Sequence, residues 1–202
     1  MKRRARIAVF ASGTGSNFLA IVKAVKSGLI KAEIAFLLCD NPGAPVIEKA
    51  ARAGIRSLIV SCGDFPSRES FEAEVLYALR RGRVDLVVLA GFMRILSPSF
   101  VRRYRNRIIN IHPSLLPSFK GARAIHDAFE YGAKVTGVTV HFVDEKTDHG
   151  PIIMQEEVKV GRNDTLAGLE KKIHETEHRI YPLAIGLFLR GRLRVKGRKI
   201  FY

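Results

Sequence analysis

Asn110 and His112 stand two residues apart at the end of an apolar run, Arg107 to Ile111. In a strand, residues i and i+2 share a face, so both side chains arrive together. Pro113 and Pro117 then stop the ladder and force the chain out as a loop. An amide donor beside an imidazole suits acyl-group chemistry. The amide stabilises a developing oxyanion, and the imidazole moves a proton near neutral pH. A lone histidine at a strand end is more often structural, and the spacing by itself leaves that reading open.

A second stretch with chemical potential follows the first apolar run. Arg6 to Phe10 leads into Ala11-Ser12-Gly13-Thr14-Gly15-Ser16-Asn17, and a helical pattern runs from about Asn17 to Lys26 with Phe18, Ile21, Val22 and Val25 on one face. Strand, glycine loop and helix form a phosphate-binding geometry, because glycines let backbone N–H groups approach an anion and the helix N-terminus favours negative charge. It is not a dinucleotide fingerprint, since Phe18 occupies the third glycine position. It is not a Walker A loop either, because the Lys and Ser/Thr are missing from the positions where that loop needs them. Many such turns only pack a helix on a sheet.

The elements that must position these residues alternate regularly. Strands are predicted at Glu33–Leu38, Ser57–Val60 and Asp85–Gly91, and helices at Pro45–Ala53 and Ser67–Arg81, the latter with Phe71, Val75, Leu76 and Leu79 inward. A short helix is predicted at Ser99–Tyr104 and another at Ala124–Tyr131. Continuous apolar strands between helices imply an α/β fold, a doubly wound and mostly parallel sheet covered on both faces. Ligands in such sheets bind beyond the strand carboxyl ends. The glycine loop, Gly91-Phe92-Met93-Arg94 and the Asn-His stretch all fall there, which places one site between them. Thr136–Val143 and Ile152–Val160 read as a pair of strands near the C-terminal part, joined by the acid-rich Asp144–Pro151. A long helix from about Thr165 to Leu189 is expected to bend near Pro182, with Asp164 the stronger cap. Leu193–Tyr202 alternates apolar and basic residues around Gly197, like a hairpin, and is expected to lie apart from the site.

The chain of 202 residues reads as a single domain, 1–202, with a basic extension from about 190; 47% hydrophobic residues are ample for a core. Cys39 and Cys62 have no metal-ligand spacing and read as reduced thiols of a cytoplasmic protein. No apolar run approaches the ~20 residues of a membrane span, and Ile7–Ala11 is too short for a signal sequence. Net charge is +15, yet Lys2, Arg3, Arg4 and Arg6 at one end, and six more basic residues from Arg190 to Lys199, carry much of it. The body between them holds 24 basic and 19 acidic residues. Short basic ends and the absence of Trp argue against a nucleic-acid-binding module, which needs basic and aromatic residues interleaved on one face. A modestly basic body suits a small anionic substrate. Asp144, Glu145, Asp148 and His149 could be read as a metal site, which the acyl chemistry does not need.

The twelve-residue string Asn110–Gly121 resembles the core motif of the folate-dependent formyltransferases, in particular the branch that acts on glycinamide ribonucleotide. The loop ending Asp148-His149-Gly150-Pro151 is similar to that family's Asp-x-Gly-Pro element, and His141-Phe142-Val143 matches too. The resemblance implies a Rossmann-like formyltransferase fold and formyl transfer from 10-formyltetrahydrofolate, as cosubstrate, to the amine of glycinamide ribonucleotide in purine biosynthesis. No metal or redox cofactor is implied. It makes Asn110, His112 and Asp148 catalytic, with Asp148 preferred to Asp144. Gly15, Ser16 and Asn17 match the residues that hold the substrate phosphate, and Glu177 the one that contacts its amine. Arg68 matches the arginine at the folate's glutamate end. Met93, Arg94, Ile95 and Leu96 match the wall around the pterin, with Asn110 also facing the folate. For Arg68 and Glu177 the plain alternative is a solvated helix residue.

The likeness covers about Arg6 to Gly191, with one departure. The family often has two histidines shortly after the motif glycine, where this chain has Arg123 and Ile125, with His126 displaced. Gly-Ala-x-x-Ile is there closer to methionyl-tRNA formyltransferase, whereas Pro113 fits the ribonucleotide branch, and the chain has no room for a tRNA-binding domain. A formyltetrahydrofolate hydrolase, which shares Asn, His and Asp, is the nearest rival. A homodimer is left open.

Overall fold

The computed structural model describes residues 3–202; Lys2, one of the basic residues of the N-terminal end, lies outside them. The chain runs β1 (Ala5–Phe10), α1 (Ser16–Lys26), β2 (Ala32–Cys39), α2 (Val46–Arg52), β3 (Ser57–Ile59), α3 (Arg68–Arg81), β4 (Leu86–Leu89), α4 (Pro98–Arg103) and β5 (Ile108–His112). It continues through α5 (Ala124–Glu130), β6 (Val135–Phe142), β7 (Ile152–Lys159), α6 (Leu166–Leu189), β8 (Arg194–Lys196) and β9 (Lys199–Phe201). Seven strands form one sheet in the order β3-β2-β1-β4-β5-β6-β7. The run β3-β2-β1-β4-β5 is parallel throughout, while β6 is antiparallel to both β5 and β7. This is the mostly parallel α/β sheet expected from the uninterrupted apolar strands, with the antiparallel part after β5.

Alternation along the strands feeds two cores. Ile7 and Val9, Leu86 and Val88, Ile109 and Ile111 join α1, α2 and α6 on one face. Ala8 and Phe10, Val87 and Leu89, and Ile108 join α3 and α4 on the other. Both faces are buried, which is why these strands carry apolar residues at successive positions. By the same parity Asn110 and His112 share the Ile108 face, the α3–α4 side.

Helix ends follow local chemistry. Ser67 caps α3 by accepting from Ser70 N, and Ser97 caps α4 by accepting from Phe100 N with Pro98 in the first turn. At α6 the cap is Thr165, whose Oγ1 accepts from Gly168 N at 3.1 Å. The stronger capper Asp164 is engaged elsewhere, accepting from Gly161 N at 2.7 Å and from Lys172 Nζ at 2.6 Å. Helix α6 continues through Pro182. The fully buried Tyr181 donates from Oη within 2.8 Å of the Leu89 carbonyl and 2.9 Å of the Ile109 carbonyl, tying α6 to the ends of β4 and β5. Burial holds its phenol well above the ordinary range. The C-terminal residues form the expected antiparallel hairpin β8–β9, turning at Gly197 with φ 60°. No described helix is long and apolar enough to cross a membrane.

Candidate active site

Three loops leave the carboxyl ends of β1, β4 and β5 side by side. Ser12 N donates to the Gly91 carbonyl at 3.0 Å, joining the first two. The glycine loop enters α1 through Gly15, whose φ of 76° is left-handed and whose added Cβ would lie 2.4 Å from Val46 Cγ2. A side chain is excluded there by conformation and by space. Helix α1 has no side-chain cap and no acid in its first turn. Its leading N–H groups, from Ser16 and Asn17, are therefore available to an anion.

Asn17 is buried and donates from Nδ2 to Glu177 Oε2 at 2.9 Å, across 160 residues of sequence. Glu177 is also buried and meets His174 Nδ1 at 2.9 Å. Glu177 is thus not a solvated helix residue. It faces the start of α1 from the middle of α6, and its hydrogen bond raises the His174 imidazole above its ordinary value, against partial burial. Asn17 Oδ1 has no partner among the described residues.

The end of β5 carries the densest group. His112 is buried and lies 2.8 Å by Nε2 from the Phe119 carbonyl. A carbonyl only accepts, so Nε2 carries a proton. Nδ1 faces Asp148 Oδ2 at 3.5 Å. Both ring nitrogens therefore look at acceptors. Asp148 is held at φ 46°, in the left-handed region, and its Oδ2 accepts from Gly121 N at 2.9 Å. The motif's last glycine, itself at φ 94°, thus positions the acid. Gly150 has no room for a Cβ, which would lie 1.8 Å from the Phe142 carbonyl.

His141 supplies a link that the sequence named without a role. It pairs with Asn110 across β5 and β6, and on its other side the β6–β7 register shifts between Val140 and His141. Its Nδ1 is 2.8 Å from the Phe142 carbonyl, so that nitrogen carries the proton. Nε2 is left to accept from Asn110 Nδ2, at 3.3 Å. Burial pushes the His141 imidazole down, outweighing the nearby Asp148 charge, so the neutral ring persists. A neutral His141 fixes which end of the Asn110 amide is the nitrogen, leaving its second N–H to point elsewhere.

Arg68, Met93, Arg94, Ile95 and Leu96 line one cleft of about 380 Å³, with Cys62, Phe71 and Glu72. Asn110 does not line it; it stands at the β5 end beside His141. Arg68 lies 3.2 Å from Glu72 Oε1 and donates to the Ile95 carbonyl. Glu72, buried, accepts from Ser97 N at 2.7 Å and from the Ser97 hydroxyl. Arg94 meets Asp40 at 2.7 Å, Asp40 accepts from Ser12 Oγ at 2.5 Å, and Ser12 Oγ accepts from Met93 N at 3.0 Å. Ser12, Asp40 and Glu72 thus brace the cleft wall. The bonds that brace the wall span 25 to 81 residues, so local sequence carries no signal for them.

The acidic loop separates by role. Asp144 pairs with His149 at 2.6 Å and Glu145 with Arg102 at 3.1 Å, while Asp148 turns inward. The four residues read as a metal alternative do not converge. A cluster with cation-binding spacing among the described residues is His126, Asp127 and Glu130 on α5, but the Arg123 guanidinium lies within 3.6 Å of Asp127 and 3.9 Å of Glu130 and supplies the positive charge. Arg123 and Ile125, the two departures from the histidine pattern, are a surface cap and a partly buried core residue.

Residues 5–185 match the model of the family described as formyl transferase. This chain belongs to the formyl transferase family. It is 45% identical over 180 residues to the phosphoribosylglycinamide formyltransferase of Bacillus subtilis, covering 89% of this chain and 92% of that one. It is 44% identical over 192 residues to the trifunctional purine biosynthetic protein adenosine-3 of Drosophila melanogaster, covering 94% of this chain but 14% of that protein's length. The crystal structure of glycinamide ribonucleotide transformylase 1 from Symbiobacterium toebii superposes with a TM-score of 0.95 at 44% identity, over 98% of this chain and 93% of that one.

Proposed function

We propose that this formyl transferase moves the formyl group of 10-formyltetrahydrofolate to the amine of glycinamide ribonucleotide, a step of purine biosynthesis in the cytoplasm. The observation that carries the reading is the convergence at the end of β5. Asn110 and His112 share one strand face, and Asp148 lies 3.5 Å from the histidine. The names of the relatives supply the substrates, and the geometry supplies a chemistry that fits them.

In this reading the first-turn N–H groups at Ser16 and Asn17, entered through Gly15, hold the phosphate. Glu177 and Asn17 face each other where the amine arrives. The folate lies along the cleft, its pterin against the segment 93–96 and its glutamate end toward Arg68. The amine attacks the formyl carbon, and the carbonyl oxygen becomes an oxyanion. Asn110 donates its second Nδ2–H to that oxygen, the first being held by His141. His112, protonated between Phe119 and Asp148, gives a proton to the departing folate nitrogen as the C–N bond breaks. The neutral His112 left behind, with Asp148 beside it, takes up the proton that the attacking nitrogen loses, which restores the imidazolium and balances the charge. Asp148 stabilises the imidazolium and orders the loop around it. Holding both substrates in line contributes a further large part of the rate.

The test is to incubate the protein with 10-formyltetrahydrofolate, with and without glycinamide ribonucleotide, and identify the products by mass spectrometry. Formylglycinamide ribonucleotide, formed only with the acceptor present, supports the proposal. Formate released at an equal rate without acceptor identifies a hydrolase instead.

A further inference from the structure

The C-terminal hairpin does not lie apart from the site. Val195 and Ile200 pack on the edge of the main core, and Tyr202 Oη donates to the carbonyl of Ile153 at the start of β7. Arg198, next to the turn, brings Nη1 within 2.8 Å of His149 Nε2. The same Nη1 is 3.1 Å from Nδ1, but Nδ1 faces the Asp144 carboxylate, which only accepts, so the nearer Nε2 is the acceptor for the guanidinium. His149 Nδ1 then carries the proton and meets Asp144 Oδ2 at 2.6 Å. The chain of contacts Arg198–His149–Asp144 therefore grips the acidic loop on both sides of Asp148. Asp148 needs such a grip, because its left-handed φ of 46° is sparsely populated for a non-glycine residue. Nothing in the transfer mechanism itself uses Arg198, His149 or Asp144.

We propose that the β8–β9 hairpin is a strap on the catalytic loop, and that Arg198 is a positioning residue that keeps the Asp148 carboxylate on His112 by holding His149 and Asp144. The proposal rests on Asp148 acting in formyl transfer. Arg198 is exposed, so its influence is modest. An exposed charged contact of this kind corresponds to about a two- to fivefold change in rate when expressed in the reacting state.

The experiment compares Arg198→Ala, Arg198→Lys, Lys199→Ala and Asp148→Asn in the full chain. It measures kcat, KM for both substrates and the thermal midpoint by circular dichroism. Arg198→Ala is expected to lower kcat about two- to fivefold with both KM values and the midpoint unchanged. Arg198→Lys, which keeps a donor for His149, restores most of the loss, and Lys199→Ala, one residue away with the same loss of charge, has no effect. Full kcat in Arg198→Ala beside a crippled Asp148→Asn overturns the strap alone. So does a loss matched by a fallen midpoint or repeated by Lys199→Ala, since that is a general structural effect. Full turnover in Asp148→Asn overturns the strap together with the site on which it rests.

Discussion

Asp148 and Asp144 sit four residues apart in one acidic loop and do opposite things. Asp148 turns inward to His112 and Gly121 N, whereas Asp144 faces His149 at the surface. Asp148→Asn keeps the shape and deletes the charge. Its kcat is expected to fall by about 10²–10⁴, the range of general acid–base assistance, with substrate affinities largely kept. Asp144→Asn loosens only the grip on the loop and is expected to cost far less. Steady-state kinetics on both variants check this, and a crippled Asp144→Asn beside an active Asp148→Asn would reverse the assignment. His141→Ala is expected to lower kcat with little change in KM, because Asn110 then loses the acceptor that orients its amide. At this scale the shared strand face of Asn110 and His112 was legible from their spacing, whereas Asp148 was singled out only by the resemblance of its loop to the family's. The sequence did not display the Asn17–Glu177 hydrogen bond, which spans 160 positions. For that reason Asn17→Ala is expected to do more than weaken phosphate binding. It also strips a buried carboxylate of a donor, a loss of about 1–3 kcal/mol, readable as a fall in denaturation midpoint alongside the rise in KM for the phosphorylated substrate.

Elements decide whether these residues meet. Tyr181 ties α6 to the carbonyls of Leu89 and Ile109, one residue short of Ala90 and of Asn110. Tyr181→Phe keeps the packing and removes the donor, so a destabilisation of about 1–3 kcal/mol is expected in urea denaturation. Gly15→Ala places a Cβ into Val46 on a left-handed backbone, which alone costs about 1–2 kcal/mol. Raised KM for the phosphorylated substrate should accompany that loss, because the entry to α1 is displaced. The alternation of apolar strands and amphipathic helices was legible, since period and caps are local properties. The α6 cap was legible only in part: Asp164 is the better capping residue in isolation, but Gly161 and Lys172 claim it. The bracing of the cleft wall by Ser12, Asp40 and Glu72 was not legible, because tertiary placement alone creates those contacts.

On the scale of the whole molecule, the charge surplus sits at the ends, and part of the C-terminal surplus is used. Arg198 holds His149, which charge counting alone does not reveal. Two histidines give stability opposite pH slopes. Glu177 raises His174 in the folded state, so its contribution is complete below the unfolded value of about 6.5 and is lost as pH rises through the raised value. Burial lowers His141, so the unfolded chain binds the proton more readily and stability falls as pH drops below about 6.5. His141→Asn is expected to reduce the acid-side slope, to which His178, also lowered by burial, contributes, and His174→Gln the slope on the alkaline side of the neutral range. Urea midpoints from pH 5 to 8 would record both.

The reaction proposed for the β5 end is transfer of a formyl group to an amine and not to water. Product analysis of 10-formyltetrahydrofolate turnover, with and without glycinamide ribonucleotide, in the unaltered protein and in Asp148→Asn, tests it most directly. Formylglycinamide ribonucleotide is expected from the unaltered protein only when the acceptor is present, at a rate reduced by about 10²–10⁴ in the variant. Acceptor-independent release of formate, or full transfer by Asp148→Asn, would contradict the proposed reaction.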